Sequence, residues 1–205
     1  SPEDQFVFDV GHQCYTHKLL TGRYDGFDTI RTKNGISGFC RPGESKHDIF
    51  YSGHSGTSVS AGLGLASAKA LNNDDNYVYV LLGDGESQEG QVWEAALFAS
   101  HHKVDNLIAI TDYNGQQIDG RVEDVLGFTH LKEKWEAFGW EVIEADGHDM
   151  EKIEKAYDKA KDKSGKGKPV MILFKTEMGH GVDFMAGTHK WHGKNPSQEQ
   201  CAIAL

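Results

Sequence analysis

Asp84 stands between Gly83 and Gly85, directly after the apolar run YVYVLL of residues 77–82. A carboxylate at the end of a buried strand faces desolvation unless something pairs its charge. More oxygen donors come 30 residues on from Asp84, where Asn114 opens NGQQIDG after a second strand-like run, NLIAITD. Adjacent parallel strands joined by one helix bring their carboxyl ends side by side, so Asp84 and Asn114 are expected to be neighbours. A carboxylate, an amide oxygen and a backbone carbonyl form a hard oxygen set suited to Mg²⁺, which also keeps water and takes phosphate oxygens. Gly83 and Gly85 are expected to let the chain turn sharply and a diphosphate come close. A plain glycine–aspartate turn is the bland alternative, and the asparagine at that spacing weighs against it.

A second set of candidates is histidine, 11 residues in 205. Most are expected to be surface or hydrogen-bonded structural groups. Four follow glycine or cluster in glycine-rich loops: His12 in DVGHQCYTHK, His54 in SGHSGTSVSAG, and His189 and His192 in AGTHKWHGK. Histidine titrates near neutrality and can bond a hydroxyl or phosphate or move a proton. A zinc site at His189 and His192 lacks a third ligand at suitable spacing and is set aside.

The elements that must position these groups alternate. FVFDV (6–10), YVYVLL (77–82), NLIAITD (106–112), WEVIEA (140–145) and PVMILFK (169–175) read as strands. Residues 57–71 and 88–103 read as helices, the second with Val92, Ala95, Ala96 and Ala99 on one face. Residues 149–163 read as an amphipathic helix with Met150, Ile153 and Tyr157 inward. This alternation predicts an α/β fold, a parallel sheet with helices on both faces and ligands at the strands' carboxyl ends. SGKGKP (164–169) reads as a loop, and the tail from Gly179 has no clear periodicity. No internal repeat is visible. GLGLAS (62–67) lies inside a helical pattern and is a poor match to a dinucleotide-binding loop.

A net charge of −10 argues against nucleic acid as a partner, although an acidic protein can still hold a small anion locally. No apolar run approaches the roughly 18 residues needed to span a membrane. The first residues carry no basic start or apolar core of a secretion signal, so a cytoplasmic setting is expected. Cys14, Cys40 and Cys201 form no C-x-x-C and no metal spacing and read as ordinary thiols.

The stretch GDGESQEGQVWEAALFASHHKVDNLIAITDYNGQQIDG (83–120) resembles the thiamine-diphosphate motif in its transketolase form. The resemblance implies Asp84 and Asn114 as Mg²⁺ ligands, with the Gln116 carbonyl as the third protein ligand. Gly83, Gly85 and Glu86 would lie along the diphosphate. The stretch 9–66 is similar instead to 1-deoxy-D-xylulose-5-phosphate synthase, which implies His12 facing the cofactor and His54, Ser55 and Gly56 at the diphosphate and thiazolium. The tail GTHKWHG is again similar to transketolase, which implies His189 reaching diphosphate and substrate. Phe39 stands where transketolases commonly present a substrate-contacting histidine. Arg23, Arg41 and Lys190 are candidate phosphate contacts for either substrate.

The resemblance further implies one diphosphate-binding domain over 1–205, without an upstream segment and without the pyrimidine-binding domain that supplies an activating glutamate. Glu86, Glu89 and Glu94 lie at the wrong end of the cofactor for that role. A fragment and a natural split subunit fit equally. The expected function is two-carbon transfer between sugar phosphates by a dimer-type assembly, inactive without its pyrimidine-binding partner. The alternative is the decarboxylating synthase, which joins pyruvate to glyceraldehyde 3-phosphate. A non-catalytic binding module is the remote third reading.

Overall fold

The computed structural model describes residues 3–51, 53–127 and 129–205. Its centre is a five-stranded parallel sheet in the order β1-β2-β3-β7-β6. The strands are β1 (Gln5–Phe8), β2 (Val78–Gly83), β3 (Leu107–Tyr113), β6 (Glu141–Asp146) and β7 (Val170–Lys175). A two-residue hairpin, β4 (Gln116–Gln117) with β5 (Gly120–Arg121), follows β3. The helices are α1 (Tyr15–Leu20), α2 (Thr57–Leu71), α3 (Gly90–His101), α4 (Val122–Val125), α5 (Leu131–Ala137), α6 (Met150–Lys163) and α7 (Gln198–Ala204). Among the described residues no helix is long and apolar enough to cross a membrane.

Both faces of the sheet are covered, as parallel sheets require. On one face Val7, Val78, Val80, Leu82, Leu107, Ala109, Met171 and Leu173 pack with Val59, Leu63 and Ala66 of α2, Val92, Ala95, Ala96 and Ala99 of α3, and Trp135 of α5. On the other, Tyr79, Ile108, Ile110, Val170 and Ile172 meet Ala156 and Ala160 of α6, with Ile153 and Tyr157 at the margin. The α2 and α3 crossovers advance along the sheet and the α6 crossover returns from β6 to β7. Opposite directions with one handedness place the helices on opposite faces, as found.

The five strands and three crossover helices fall where the pattern predicts, with shifts of one or two residues at their ends. Met150 is a correction: it is 76% exposed rather than inward. Helix α6 starts beyond the carboxyl end of β6, so its first turn overhangs the strand ends. Asp149 caps that turn, accepting from Glu151 and Lys152 N–H. Helix α5, unread in the sequence, sets Trp135 against Trp93 and Trp140, with ring centroids 4.8 Å apart in each pair.

Between β1 and α2 run 48 residues outside the sheet, 9–56, long for a compact domain unless anchored. The anchor is a polar network. Lys18, fully buried, donates to Glu44 at 2.5 Å. Arg23 bridges Glu44 at 2.9 Å and both oxygens of the buried Asp48, and His17 Nε2 lies 2.9 Å from Asp48 Oδ1. Burial alone would raise the Asp48 pKa, but the hydrogen bonds from Arg23 and His17 outweigh it and hold it below the ordinary carboxylate value. Its stabilising contribution is therefore present above an unfolded pKa near 4 and lost as pH falls through the lower folded value. Arg23→Ala strands a buried carboxylate and is expected to cost about 3–5 kcal/mol at pH 7. Urea unfolding of both proteins at pH 7 and pH 3 checks this, with the difference shrinking at the lower pH.

Candidate active site

Strand pairing sets the geometry. Gly83 is in register with Asp112, so the residues just past each strand end, Asp84 and Asn114, come together across β2 and β3. Asp84 is 1% exposed. Its Oδ1 accepts from Gly85 N–H at 2.8 Å and its Oδ2 from Gly115 N–H at 2.6 Å. These two bonds do not offset burial, which pushes the carboxyl up to about 6. Asn114 Nδ2 donates to Asp112 Oδ2 at 3.1 Å, and Asn114 Oδ1 accepts from Gln116 N–H at 2.8 Å. Asp112 is also held by the Thr176 hydroxyl, from the end of β7.

The glycine whose backbone the site requires is Gly115. Its φ of +72° is left-handed, and this turns its N–H onto Asp84. Gly85 sits at φ −63° and ψ −37°, ordinary right-handed values, and Gly83 is not left-handed either, so neither provides the sharp turn expected of it. Gly85 is needed for space, since a Cβ there would fall 3.0 Å from Gln117 Cβ.

Above Asp84 opens a cavity of about 960 Å³ at the carboxyl ends of the strands. Its wall includes His12, Ser55, Gly83, Asp84, Gly85, Glu86, Asn114 and Gln116 among the expected residues. His54, Gly56 and His189 are not part of that wall. His54 is exposed beside it. Gly56 lies beneath as the N-cap of α2, with φ +80° and a Cβ position 2.6 Å from Glu89 Cβ. His189 is in a 3₁₀ turn, and His192, one turn further, lines the cavity instead, its ring 5.7 Å from that of His12. Of the candidate phosphate contacts, Arg23 is committed to Asp48 and Glu44, and Arg41 and Lys190 are exposed away from the wall.

Several contributors went unread in the sequence. Asp9, fully buried at the end of β1, accepts from Gly56 N–H at 2.6 Å and Ser58 N–H at 3.2 Å. It caps α2 and ties the Ser55 turn to the strand end. A cap 47 residues before its helix leaves no local signal. His148 and Glu177, after β6 and β7, also line the wall, Glu177 N–H donating to His148 Nε2 at 2.8 Å. GH after a strand, as in Gly147-His148, was the available clue.

Electrostatically the floor is acidic. Burial first, then the charges of Asp9, Asp84 and Asp112, push the Glu86 carboxyl up to about 8, although Gly83 N–H donates to it at 2.5 Å. Burial, followed by His192 and Arg31, lowers the His12 pKa, so the imidazole is neutral at pH 7. Two buried oxygens on the wall, Glu86 Oε1 and Gln116 Oε1, have no hydrogen-bond partner. An underpaired Asp84, a neighbouring amide oxygen and two orphaned acceptors suit a hydrated dication and an anion bound through it. The residues present therefore fit Mg²⁺ with a diphosphate. A cavity of this size also has room for a cofactor's rings.

A family model described as 1-deoxy-D-xylulose-5-phosphate synthase matches residues 1–130. A 6-deoxy-6-sulfo-D-fructose transketolase subunit from Clostridium sp. (strain MSTE9) is 42% identical over 208 residues, covering 98% of this chain and 75% of the relative. An apulose-4-phosphate transketolase subunit from Phocaeicola vulgatus is 36% identical, covering 98% of this chain and 73% of that one. Among solved structures, the transketolase from Leishmania mexicana matches with a TM-score of 0.88 at 30% identity, over 98% of this chain and 32% of the transketolase. The chain thus spans about a third of the solved transketolase and about three quarters of each of the two relatives.

The raised pKa of Asp84 has a measurable consequence. As pH climbs from an unfolded value near 4 to about 6, the native state holds a proton the unfolded state has lost; above that it carries an unpaired buried anion. A dication binds the anion and removes that cost. The rise in melting temperature produced by Mg²⁺ with a diphosphate should therefore be small at pH 5 and full by pH 7. Asp84→Ala should abolish it at both, as read by thermal unfolding.

Proposed function

Because this chain belongs to the family of thiamine-diphosphate-dependent transferases that includes transketolase and 1-deoxy-D-xylulose-5-phosphate synthase, we propose that it is the diphosphate-binding part of a transketolase-type enzyme. It transfers a two-carbon unit between sugar phosphates in the cytoplasm, within a dimer-type assembly. A pyrimidine-binding domain or subunit completes the site and supplies the activating glutamate. The observation that carries this reading is Asp84: a buried carboxylate, pushed up to about 6, facing Asn114 on the floor of an open cavity.

In this reading Asp84, the Asn114 amide oxygen and the Gln116 carbonyl hold Mg²⁺, and the 83–86 backbone and Ser55 lie along the diphosphate. Thiamine diphosphate, when bound, would supply the electron sink for the negative charge left on a substrate's carbonyl carbon when a carbon–carbon bond to it breaks. This chain's residues orient the substrate and handle protons beside it. Neutral His12 can accept a hydrogen bond from a hydroxyl or take its proton at an unprotonated ring nitrogen, and His192 faces the same space. Before a dication binds, Glu86, pushed up to about 8, adds no second charge beside Asp84. Support for the transketolase type comes from the two subunit relatives, which run the length of the chain.

The synthase reading has an observation of its own. The family model described as the synthase covers residues 1–130, taking in the stretch 9–66 and the metal-site segment 83–120 as well, and Phe39 has no hydroxyl- or phosphate-binding group. Its ring packs edge-on to Tyr51 at 6.4 Å and under the Arg31 guanidinium at 5.1 Å.

The deciding experiment uses the chain with its pyrimidine-binding partner, thiamine diphosphate and Mg²⁺. Xylulose 5-phosphate with ribose 5-phosphate should yield sedoheptulose 7-phosphate. Release of CO₂ from labelled pyruvate with glyceraldehyde 3-phosphate, and no sedoheptulose 7-phosphate, would assign the synthase reaction instead. In the same assay His192→Ala should lower kcat/KM by about 10²-fold, more than His189→Ala. The reverse order would mean that the tail repositions on assembly and brings His189 to the substrate.

A further inference from the structure

Behind the His12 turn, away from the cavity, three metal-binding side chains converge, with a fourth, Cys14, close by. One ligand atom each from His17, Cys40 and Asp48 lies within 4.8 Å of the other two. Cys14 joins them as the residue before α1, three positions from His17, and packs with Cys40 and Phe8 in one buried cluster. Its thiol is aimed at Gly38 O, 4.0 Å away, on the strand of chain that leads into Cys40. Both thiols are buried and neither is in a disulfide. None of the four residues lines the cavity above Asp84.

We propose that Cys40, His17 and Asp48, with Cys14 as fourth ligand, form a binding site for a zinc-class divalent cation, separate from the Mg²⁺ site. Sulfur, imidazole and carboxylate together select a borderline-soft ion over Mg²⁺, which takes oxygen alone. Tetrahedral bonds of about 2.0–2.3 Å put neighbouring ligand atoms roughly 3.3–3.8 Å apart, so the existing triangle needs only a small contraction. The His17 to Asp48 hydrogen bond, at 2.9 Å, already lies inside that limit, and the cation takes the place of its proton, which moves to His17 Nδ1 as the neutral ring changes tautomer. Arg23 grips both Asp48 oxygens and keeps its hold on Oδ2 while Oδ1 turns to the metal, as outer partners of ligating carboxylates do.

Charge balance allows the ion. Lys18 and Arg23 offset Glu44 and Asp48, so the network is neutral without a metal. A dication entering with loss of the Cys14 and Cys40 thiol protons to solvent leaves it neutral again. The consequence is mechanical. The ion would cross-link α1 to the 38–48 stretch, the two halves of the long segment that ends at the cavity wall.

Cobalt(II) is the probe. The reduced full chain, stripped with a chelator, should develop a thiolate-to-cobalt charge-transfer band saturating at about one equivalent and bleached by Zn²⁺. Asp84→Ala should keep the band, whereas Cys40→Ser and His17→Ala should lose it. Folding of the variants is checked by circular dichroism. For a variant that fails to fold, the wild type gives the answer: in urea just below the unfolding transition, where the buried thiols open to reagent, bound Zn²⁺ should slow alkylation of Cys14 and Cys40 but not of exposed Cys201. No thiolate band in the folded wild type, a band that survives Cys40→Ser, or equal alkylation with and without Zn²⁺ would each overturn the site.

Discussion

A carboxylate sealed at the end of a core strand, stabilised by neighbouring backbone N–H groups but paired with no positive charge among the described residues, is the constraint around which this protein is arranged. Asp84 cannot be ionised at low cost by the chain alone, and burial shows this as a pKa raised to about 6. Much nearby structure serves to keep that carboxyl in place. Parallel pairing of β2 with β3 delivers Asn114 beside it, and the left-handed Gly115 directs an N–H at it. Asp112, fixed by Thr176, orients the asparagine amide. Glu86 stays protonated because it is buried and Asp9, Asp84 and Asp112 surround it. Such an arrangement is unfavourable as an isolated fold, and in the proposed function a dication at Asp84 relieves it.

The second support is the polar network beneath residues 9–56. Within this stretch Cys14, Cys40, Ile49 and Phe50 reach apolar clusters, and its α1 helix is only six residues long. Ion pairs among Lys18, Glu44, Arg23 and Asp48 add to those contacts and bring the His12 turn to the sheet edge. Asp9 does the same work at closer range by capping α2 from the end of β1. The cavity wall is thus assembled from the ends of all five strands by side chains that are neither catalytic nor apolar. Rigid strands at the floor and tethered loops at the wall give a cavity whose Asp84 end is preorganised and whose open side has more freedom.

Family membership and geometry meet at the open side of the cavity. The stretch 9–66 contributes His12 and Ser55, the stretch 83–120 contributes Asn114 and Gln116, the tail contributes His192, and all three face one space. The mosaic seen in the motifs is therefore a single wall in three dimensions.

The order of residues alone specified the sheet, its crossover helices and the meeting of Asp84 with Asn114. The reason is physical: apolar period and glycine placement are local properties, and one strand–helix–strand unit suffices to put Asp84 beside Asn114. It also carried the family motifs, but not which members of each motif face the ligand. His189 and His192 are three residues apart in one glycine-rich loop, and only the turn at Thr188–Trp191 decided which ring meets His12. Met150 fits the helical stripe of α6, yet its turn overhangs the strand ends, a fact of docking rather than of periodicity. Asp9, Asp48 and Cys40 act on partners 47, 25 and 23 residues away, at Gly56, Arg23 and His17. Such pairings have no period and no spacing rule; they exist only once tertiary packing has removed the water between them.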